Sequence, residues 1–228
     1  MTLVIPPAAQ PTVEVMGTDA RFPVHRIYCV GRNYAAHARE MGMDPERDPP
    51  FFFSKPADAV VANGTPVPYP PRTVNLHHEI ELVVAIHSGG RDIPLARALD
   101  HVYGYAVGND LTRRDLQFSA REQGRPWDVA KGFDGSAPVS AIRPAADVGH
   151  VERGAIWLEV NGETRQRANL SEMIWNVPEI VAELSTYFEL RPGDLVFTGT
   201  PEGVGPVQRG DSLVGGIDGL ETLRTTIV

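Results

Sequence analysis

The chain of 228 residues is poor in cysteine, in cationic charge and in long apolar runs. One cysteine, Cys29, excludes an internal disulfide framework and a cysteine-built zinc site, and it makes a reducing, cytoplasmic setting the expectation. Lys and Arg number 21 against 29 Asp and Glu, a net charge of −8, so no generic surface for nucleic acid or an anionic membrane is expected. A local basic pocket remains compatible with that balance, because net charge says nothing about one cleft. The apolar run Leu82–Ile86 is far too short to span a bilayer. The stretch from Met1 to Gln10 lacks a basic start and reaches Pro6-Pro7 early, so it does not read as a signal peptide. The glycine-rich stretch after Thr198 is not followed by Gly-Lys-Ser/Thr, and no Gly-x-Ser-x-Gly elbow occurs, which argues against a phosphate loop and a serine hydrolase.

Glycine (22) and proline (20) are plentiful, about 18% of the chain where ~12% is usual. That favours turns and short strands over long helices and excludes a helical bundle. Residues 1–25 hold several prolines and read as an arm or edge strand ahead of one domain over 26–228. Strands are expected at Arg26–Val30, Leu82–Ile86, Val102–Gly108 and Leu195–Thr198. A further strand, Ile156–Val160, runs into the hairpin signal Asn161-Gly162. Two more flank Asp218-Gly219 in the tail. Short helices are expected over Asn33–Met41, after Pro94 and from Pro178, where Ile180, Val181, Leu184, Tyr187 and Phe188 fall at helical spacing. Gly42–Pro50 reads as a loop. The expected fold is β-rich α+β with few helices.

Chemistry concentrates in Leu76–Ile86. On a strand, Glu79 and Glu81 share a face, and they lead directly into apolar sequence. Two buried like charges need a cation or protons beside them; the alternative is an exposed strand end with surface arginines. Asp110, where the Val102–Gly108 strand runs out, adds a third carboxylate. Three carboxylates without a thiol suit Mg²⁺ or Mn²⁺, completed by water and substrate oxygens. His77 and His78 keep zinc formally open, although a histidine flanking a strand is more often a structural hydrogen-bonding residue. His37 and Glu40, three apart on a helix, form either a base with its orienting carboxylate or an exposed polar pair. Lys131 is either a buried cation or a surface lysine with a buried stem. The backbone N–H groups of Thr198–Gly205 either hold a carboxylate or make a plain turn.

In order along the chain stand Gly31-Arg32-Asn33-Tyr34 with His37 and Glu40, then Ser54-Lys55-Pro56, then Leu76–Glu81. Asn109–Gln117, Trp127–Phe133 and Thr198–Gly205 follow. This ordered set resembles the fumarylacetoacetate hydrolase family from Ile27 to about Ile227. The resemblance implies a mixed β-sandwich roll, usually a homodimer, with a Mg²⁺ or Mn²⁺ site. It implies Glu79, Glu81 and Asp110 as metal ligands, and His37 with Glu40 as a water-activating dyad on a lid. Lys131, Gln117 and Thr200 would bind or polarise the substrate, as would Arg32. The length is similar to that of compact acylpyruvase-type members, and Phe51–Pro56 looks like the block found in bacterial fumarylpyruvate hydrolases of gentisate catabolism.

The expected reaction is hydrolysis of a carbon–carbon bond in a 2,4-dioxo acid, with fumarylpyruvate giving fumarate and pyruvate. Oxaloacetate decarboxylation or oxo-acid isomerisation on the same scaffold is the alternative among enzymes, and a non-catalytic small-ligand binding protein the alternative outside them. A substrate with a terminal carboxylate needs a cationic or N–H-rich distal pocket, for which Arg32, Arg114, Arg125 and the Thr198–Gly205 loop are the candidates.

Overall fold

All seven residues of the strand Ile80–Ile86 are buried, because both faces of its sheet are covered. Ile80, Leu82, Val84 and Ile86 pack into one apolar cluster with Ile156, Leu158 and Leu213. Val83 and Ala85 turn the other way, against Val13, Phe22, Leu195 and Phe197. The period-2 alternation thus feeds two cores from one strand. This is a computed structural model, and it describes residues 3–40 and 49–228.

The large sheet has eight strands. Its path runs Phe51–Lys55, Ile27–Gly31, Leu195–Phe197, Ile80–Ile86, Val102–Asn109, Ala137–Val139 and Val60–Ala62, with Arg143–Pro144 also on Val102–Asn109. It is mixed: Leu195–Phe197 runs parallel to Ile27–Gly31 but antiparallel to Ile80–Ile86. A four-stranded antiparallel sheet, Glu163–Asn169, Ala155–Val160, Ser212–Ile217 and Leu223–Thr226, lies across one core. Thr12–Glu14 and Arg21–Pro23 pair as a hairpin whose Val13 and Phe22 enter the other. Gly205–Val207, Leu76–His78 and Thr112–Arg113 form a small third sheet. The β-rich, curled sandwich matches the expected fold class.

The helices are short: α1 (Ala35–Glu40), α2 (Arg114–Glu122), α3 (Asp128–Lys131), α4 (Ala145–Val148) and α5 (Val177–Tyr187). The last opens on a reciprocal capping box between Asn176 and Glu179. The chain after Pro94 forms a 3₁₀ rather than an α-helix, Leu95–His101, since it must deliver Val102 straight into a strand. Asn161 and Gly162 take φ of 55° and 82°, as a tight hairpin turn requires. The expected helix over Asn33–Met41 starts later, at Ala35, because Asn33 is spent elsewhere. Its amide donates to Trp175 O and Thr198 O, and its Oδ1 accepts from Trp175 N–H. Most of the expected loop Gly42–Pro50, and with it the lid, lies outside the described residues. Among the described residues no helix is long and apolar enough to cross a membrane.

Candidate active site

Two strand ends meet at the site. Asp110 follows the last residue of Val102–Asn109, and its N–H donates to Glu79 O at 2.8 Å. Glu79 falls in the one-residue break between Leu76–His78 and Ile80–Ile86, and Glu81 lies two residues on. Carboxylate oxygens of Glu79, Glu81 and Asp110 all come within 4.8 Å of one another, and all three side chains are buried. The reading of Glu79 and Glu81 as an exposed strand end therefore fails.

Buried cations surround two of the three. Lys131, the last residue of α3, places Nζ 2.7 Å from both Glu79 Oε2 and Asp110 Oδ2. It is 2% exposed, so it is not a surface lysine. Arg114 donates to Glu79 Oε1, to Gln117 Oε1 and to His77 Nδ1. Lys55 Nζ lies 2.8 Å from Asp110 Oδ1, off hydrogen-bond geometry, and donates instead to Leu111 O and Lys131 O. Asp110 Oδ1 is thus a buried oxygen with a charge beside it and no hydrogen-bond donor.

Glu81 is different. Its Oε2 accepts from Gly199 N–H at 2.7 Å, and among the described residues no cationic side chain touches it. Burial, reinforced by Asp110 and Glu79, pushes its pKa well above the ordinary carboxylate value. Burial also acts on Glu79, but Lys131 and Arg114 outweigh it and hold that carboxyl well below the ordinary range.

The donor set fits a hard divalent ion. Lys131 Nζ already marks a point on which two carboxylates converge at cation distance, and Glu81 lacks a counter-charge of its own. Zinc through histidine fits less well. His77 bonds Asn75 and Arg114, and burial with Arg114 nearby lowers its pKa to about 4. His78 bonds Gln166. Neither imidazole belongs to the acidic cluster.

The space over the carboxylates amounts to about 510 Å³ when its opening to solvent is included. His37, Arg32, Gln117, Lys131 and Thr200 all line it, as do Phe51, Phe53 and Trp127. His37 is 7% exposed, and its Nδ1 lies 3.2 Å from Glu40 Oε2. Burial raises the Glu40 pKa, but hydrogen bonds from His37 and from the Gly203 and Val204 N–H groups bring it below its ordinary value. The pair is not a free surface dyad. Arg32 holds a left-handed φ of 62° that places its guanidinium 5.2 Å from the Phe51 ring centre.

Three expectations about substrate contacts need correction. The Thr198–Gly205 loop does present N–H groups to carboxylates, but they are the protein's own: Gly199 holds Glu81 and Gly203 holds Glu40. Thr200 Oγ1 donates to Ile80 O and accepts from Gln166, so it has no proton left for a substrate. For the distal pocket, Arg114 is consumed by its neighbours and Arg125 does not line the cavity. Arg121 lines it instead. In the sequence Lys55 stands out only within the Ser54-Lys55-Pro56 block, with no role attached, and Arg121 does not stand out at all. A 114-117-118-121 spacing would have pointed to Arg121 had α2 been recognised as a helix.

Comparisons with known proteins agree with this geometry. Residues 26–228 match the family described as Fumarylacetoacetate (FAA) hydrolase C-terminal. A fumarylpyruvate hydrolase of Ralstonia sp is 48% identical over 81% of this chain and 96% of its own length. The mitochondrial oxaloacetate tautomerase FAHD1 of Arabidopsis thaliana is 44% identical over 87% of this chain and 89% of its own. The crystal structure of fumarylpyruvate hydrolase from Pseudomonas aeruginosa, in complex with Mn²⁺ and pyruvate, superposes with a TM-score of 0.97 at 58% identity. It covers 100% of this chain and 99% of that one. With the match spanning nearly the whole chain, and three buried carboxylates at its centre, the chain belongs to the fumarylacetoacetate hydrolase family.

Proposed function

We propose that the protein is a metal-dependent hydrolase of a carbon–carbon bond in 2,4-dioxo acids, with fumarylpyruvate, cleaved to fumarate and pyruvate, as its substrate. The observation that carries this reading is the convergence of Glu79, Glu81 and Asp110 in one cavity with the His37–Glu40 pair. The relatives named fumarylpyruvate hydrolase, one of them a complex with Mn²⁺ and pyruvate, support it. In this reading residues 26–228 are the catalytic domain and residues 1–25 an edge element. The protein acts as a cytoplasmic homodimer in gentisate catabolism.

Glu79, Glu81 and Asp110 would hold Mg²⁺ or Mn²⁺, which when bound supplies Lewis-acid stabilisation of developing enolate charge. Glu40 receives the Nδ1–H of His37, which leaves Nε2 free to take a proton from water. That water attacks the distal carbonyl carbon of the dioxo acid. Lys131 and Gln117, both lining the cavity, stabilise the oxyanion that forms. Collapse breaks the carbon–carbon bond, releasing the acid and the enolate of pyruvate, which takes up one proton. Phe51, Phe53 and Trp127 limit water at the cavity wall.

A second reading, oxaloacetate tautomerisation or decarboxylation, is favoured by the 44% identity to a tautomerase. It needs enolate stabilisation but no attacking water. Chelator-treated protein, titrated with Mn²⁺ and assayed on fumarylpyruvate, acetylpyruvate and oxaloacetate with products identified, separates the two. Fumarate and pyruvate in equal amounts support the hydrolase. Faster enol–keto conversion or CO₂ release from oxaloacetate, with no acylpyruvate cleaved, overturns it.

A further inference from the structure

Four side chains of α2 line the cavity: Arg114, Gln117, Phe118 and Arg121. Steps of three, four and seven residues put them on one helical face. Burial falls away along that face, from Arg114 at 1% and Gln117 at 5% exposed to Phe118 at 36% and an exposed Arg121. The face therefore runs from the carboxylate cluster to the cavity mouth. Arg114 is fully engaged by Glu79, Gln117 and His77. Arg121 has no carboxylate partner among the described residues, and its guanidinium sits 5.3 Å from the Phe118 ring centre. An aromatic plate of this kind narrows the orientations of the group while leaving its N–H fork free for a planar anion.

The distances suit a substrate of defined length. Seven helical residues advance about 10 Å, and side chains lean toward the helix N-terminus, here toward the carboxylates. A seven-carbon 2,4-dioxo diacid spans roughly 7 Å between its terminal carboxyl carbons when extended. With its 2-oxo acid end at Glu79, Glu81 and Asp110, its far carboxylate arrives at the mouth, beside Arg121 and Arg32.

We infer that Arg121 is a specificity-determining residue that pairs with the terminal carboxylate of a seven-carbon diacid substrate, an assignment that rests on the acylpyruvate reading above. A charged hydrogen-bonded contact of this kind corresponds to roughly a ten- to hundredfold preference over a chain without the carboxylate. A solvated helix arginine contributes no such preference.

The test separates binding from turnover. The probes are 2-oxoheptanedioate and 2-oxoheptanoate, equal in length and lacking the second oxo group that hydrolysis needs. Their affinities for the Mn²⁺-loaded full chain are measured by calorimetry at low ionic strength. The unmodified protein should favour the diacid roughly ten- to hundredfold. Arg121→Met should abolish that preference while Mn²⁺ affinity, melting temperature and 2-oxoheptanoate affinity hold. Arg121→Lys should restore part of it, and Arg125→Met should leave it intact. A preference that survives Arg121→Met, or is absent from the unmodified protein, overturns the inference. Diacid preference through Arg121 in a protein that cleaves no acylpyruvate refutes the hydrolase reading alone. Cleavage of fumarylpyruvate with a preference indifferent to Arg121 refutes this inference alone.

Discussion

The adjacent strands Leu195–Phe197 and Ile80–Ile86 carry a buried carboxylate at each end of their pairing, and the two are treated in opposite ways. At one end Asp194, with 0% of its side chain exposed, accepts from His25 Nδ1, Arg26 Nε and Nη2, and Arg191 N–H. Every lone-pair direction is answered by the chain itself, and the cations that answer it reach the surface. At the other end Glu81 receives one backbone N–H and, among the described residues, no cation within contact. A buried carboxyl short of partners costs stability, whether as an ion left without a counter-charge or as a site forced to take up a proton, so its retention beside two other carboxylates marks the end of the sheet that waits for something outside the chain. A saturated buried acid is architecture; an unsaturated one is a binding site.

Four measurements break or sharpen that contrast. Glu81→Ala should lower metal-supported turnover by more than ~10³-fold, the several kcal/mol that a Lewis-acid centre supplies. In metal-free protein the same change should leave the melting temperature level or raise it, since an uncompensated buried carboxylate is removed. A melting temperature that falls would erase the distinction between the two ends. Next, His37→Ala should reduce hydrolysis roughly 10²–10⁴-fold, the usual worth of general base catalysis, with Mn²⁺ affinity retained; an unchanged rate returns the His37–Glu40 pair to a structural role.

Asp194→Ala should act on stability alone. Breaking a buried pair costs about 3–5 kcal/mol, a drop of roughly 6–20 °C in melting temperature at this chain length, while calorimetric Mn²⁺ affinity stays put. Weaker metal binding in that variant would show that the two ends are not independent. The smallest effect belongs to Arg21 and Glu14, 3.1 Å apart with side chains 44% and 56% exposed. Arg21→Ala should cost no more than about 1 kcal/mol in denaturant titration, setting the scale against which the buried end is judged.

Glu79, Glu81 and Asp110 are legible in the sequence because a strand's period of two and an adjoining apolar run leave few places for such charges to go. The hairpin at Asn161-Gly162 and the start of α5 at Pro178 are legible through turn and capping chemistry. Helix α2 is not: Arg114–Glu122 has no long apolar stripe, since its inner face carries Arg114, Gln117 and Arg121 into a cavity rather than into a core. Arg121 is hidden for that reason. Phe51–Lys55 hides its strand behind three consecutive phenylalanines, which show no alternation. The burial of Lys55 depends on oxygens from residues 110, 111 and 131, a convergence that only tertiary structure creates. The saturation of Asp194 is equally silent, because Arg26 lies 168 positions away.

Gln166 turns the sandwich into a single mechanical part. Standing on the four-stranded sheet, its Oε1 accepts hydrogen bonds from His78 Nδ1 and Ile80 N–H, and its Nε2 donates to Thr200 Oγ1 and Pro201 O. One amide thereby clamps both strands that frame the carboxylates to a strand that contributes nothing to the cavity lining. For anyone transplanting this site into another scaffold, the portable unit is therefore larger than its visible chemistry. The Thr198–Gly205 loop moved without its distant glutamine would lose the donor to both Thr200 Oγ1 and Pro201 O, and with it the tie that holds its shape.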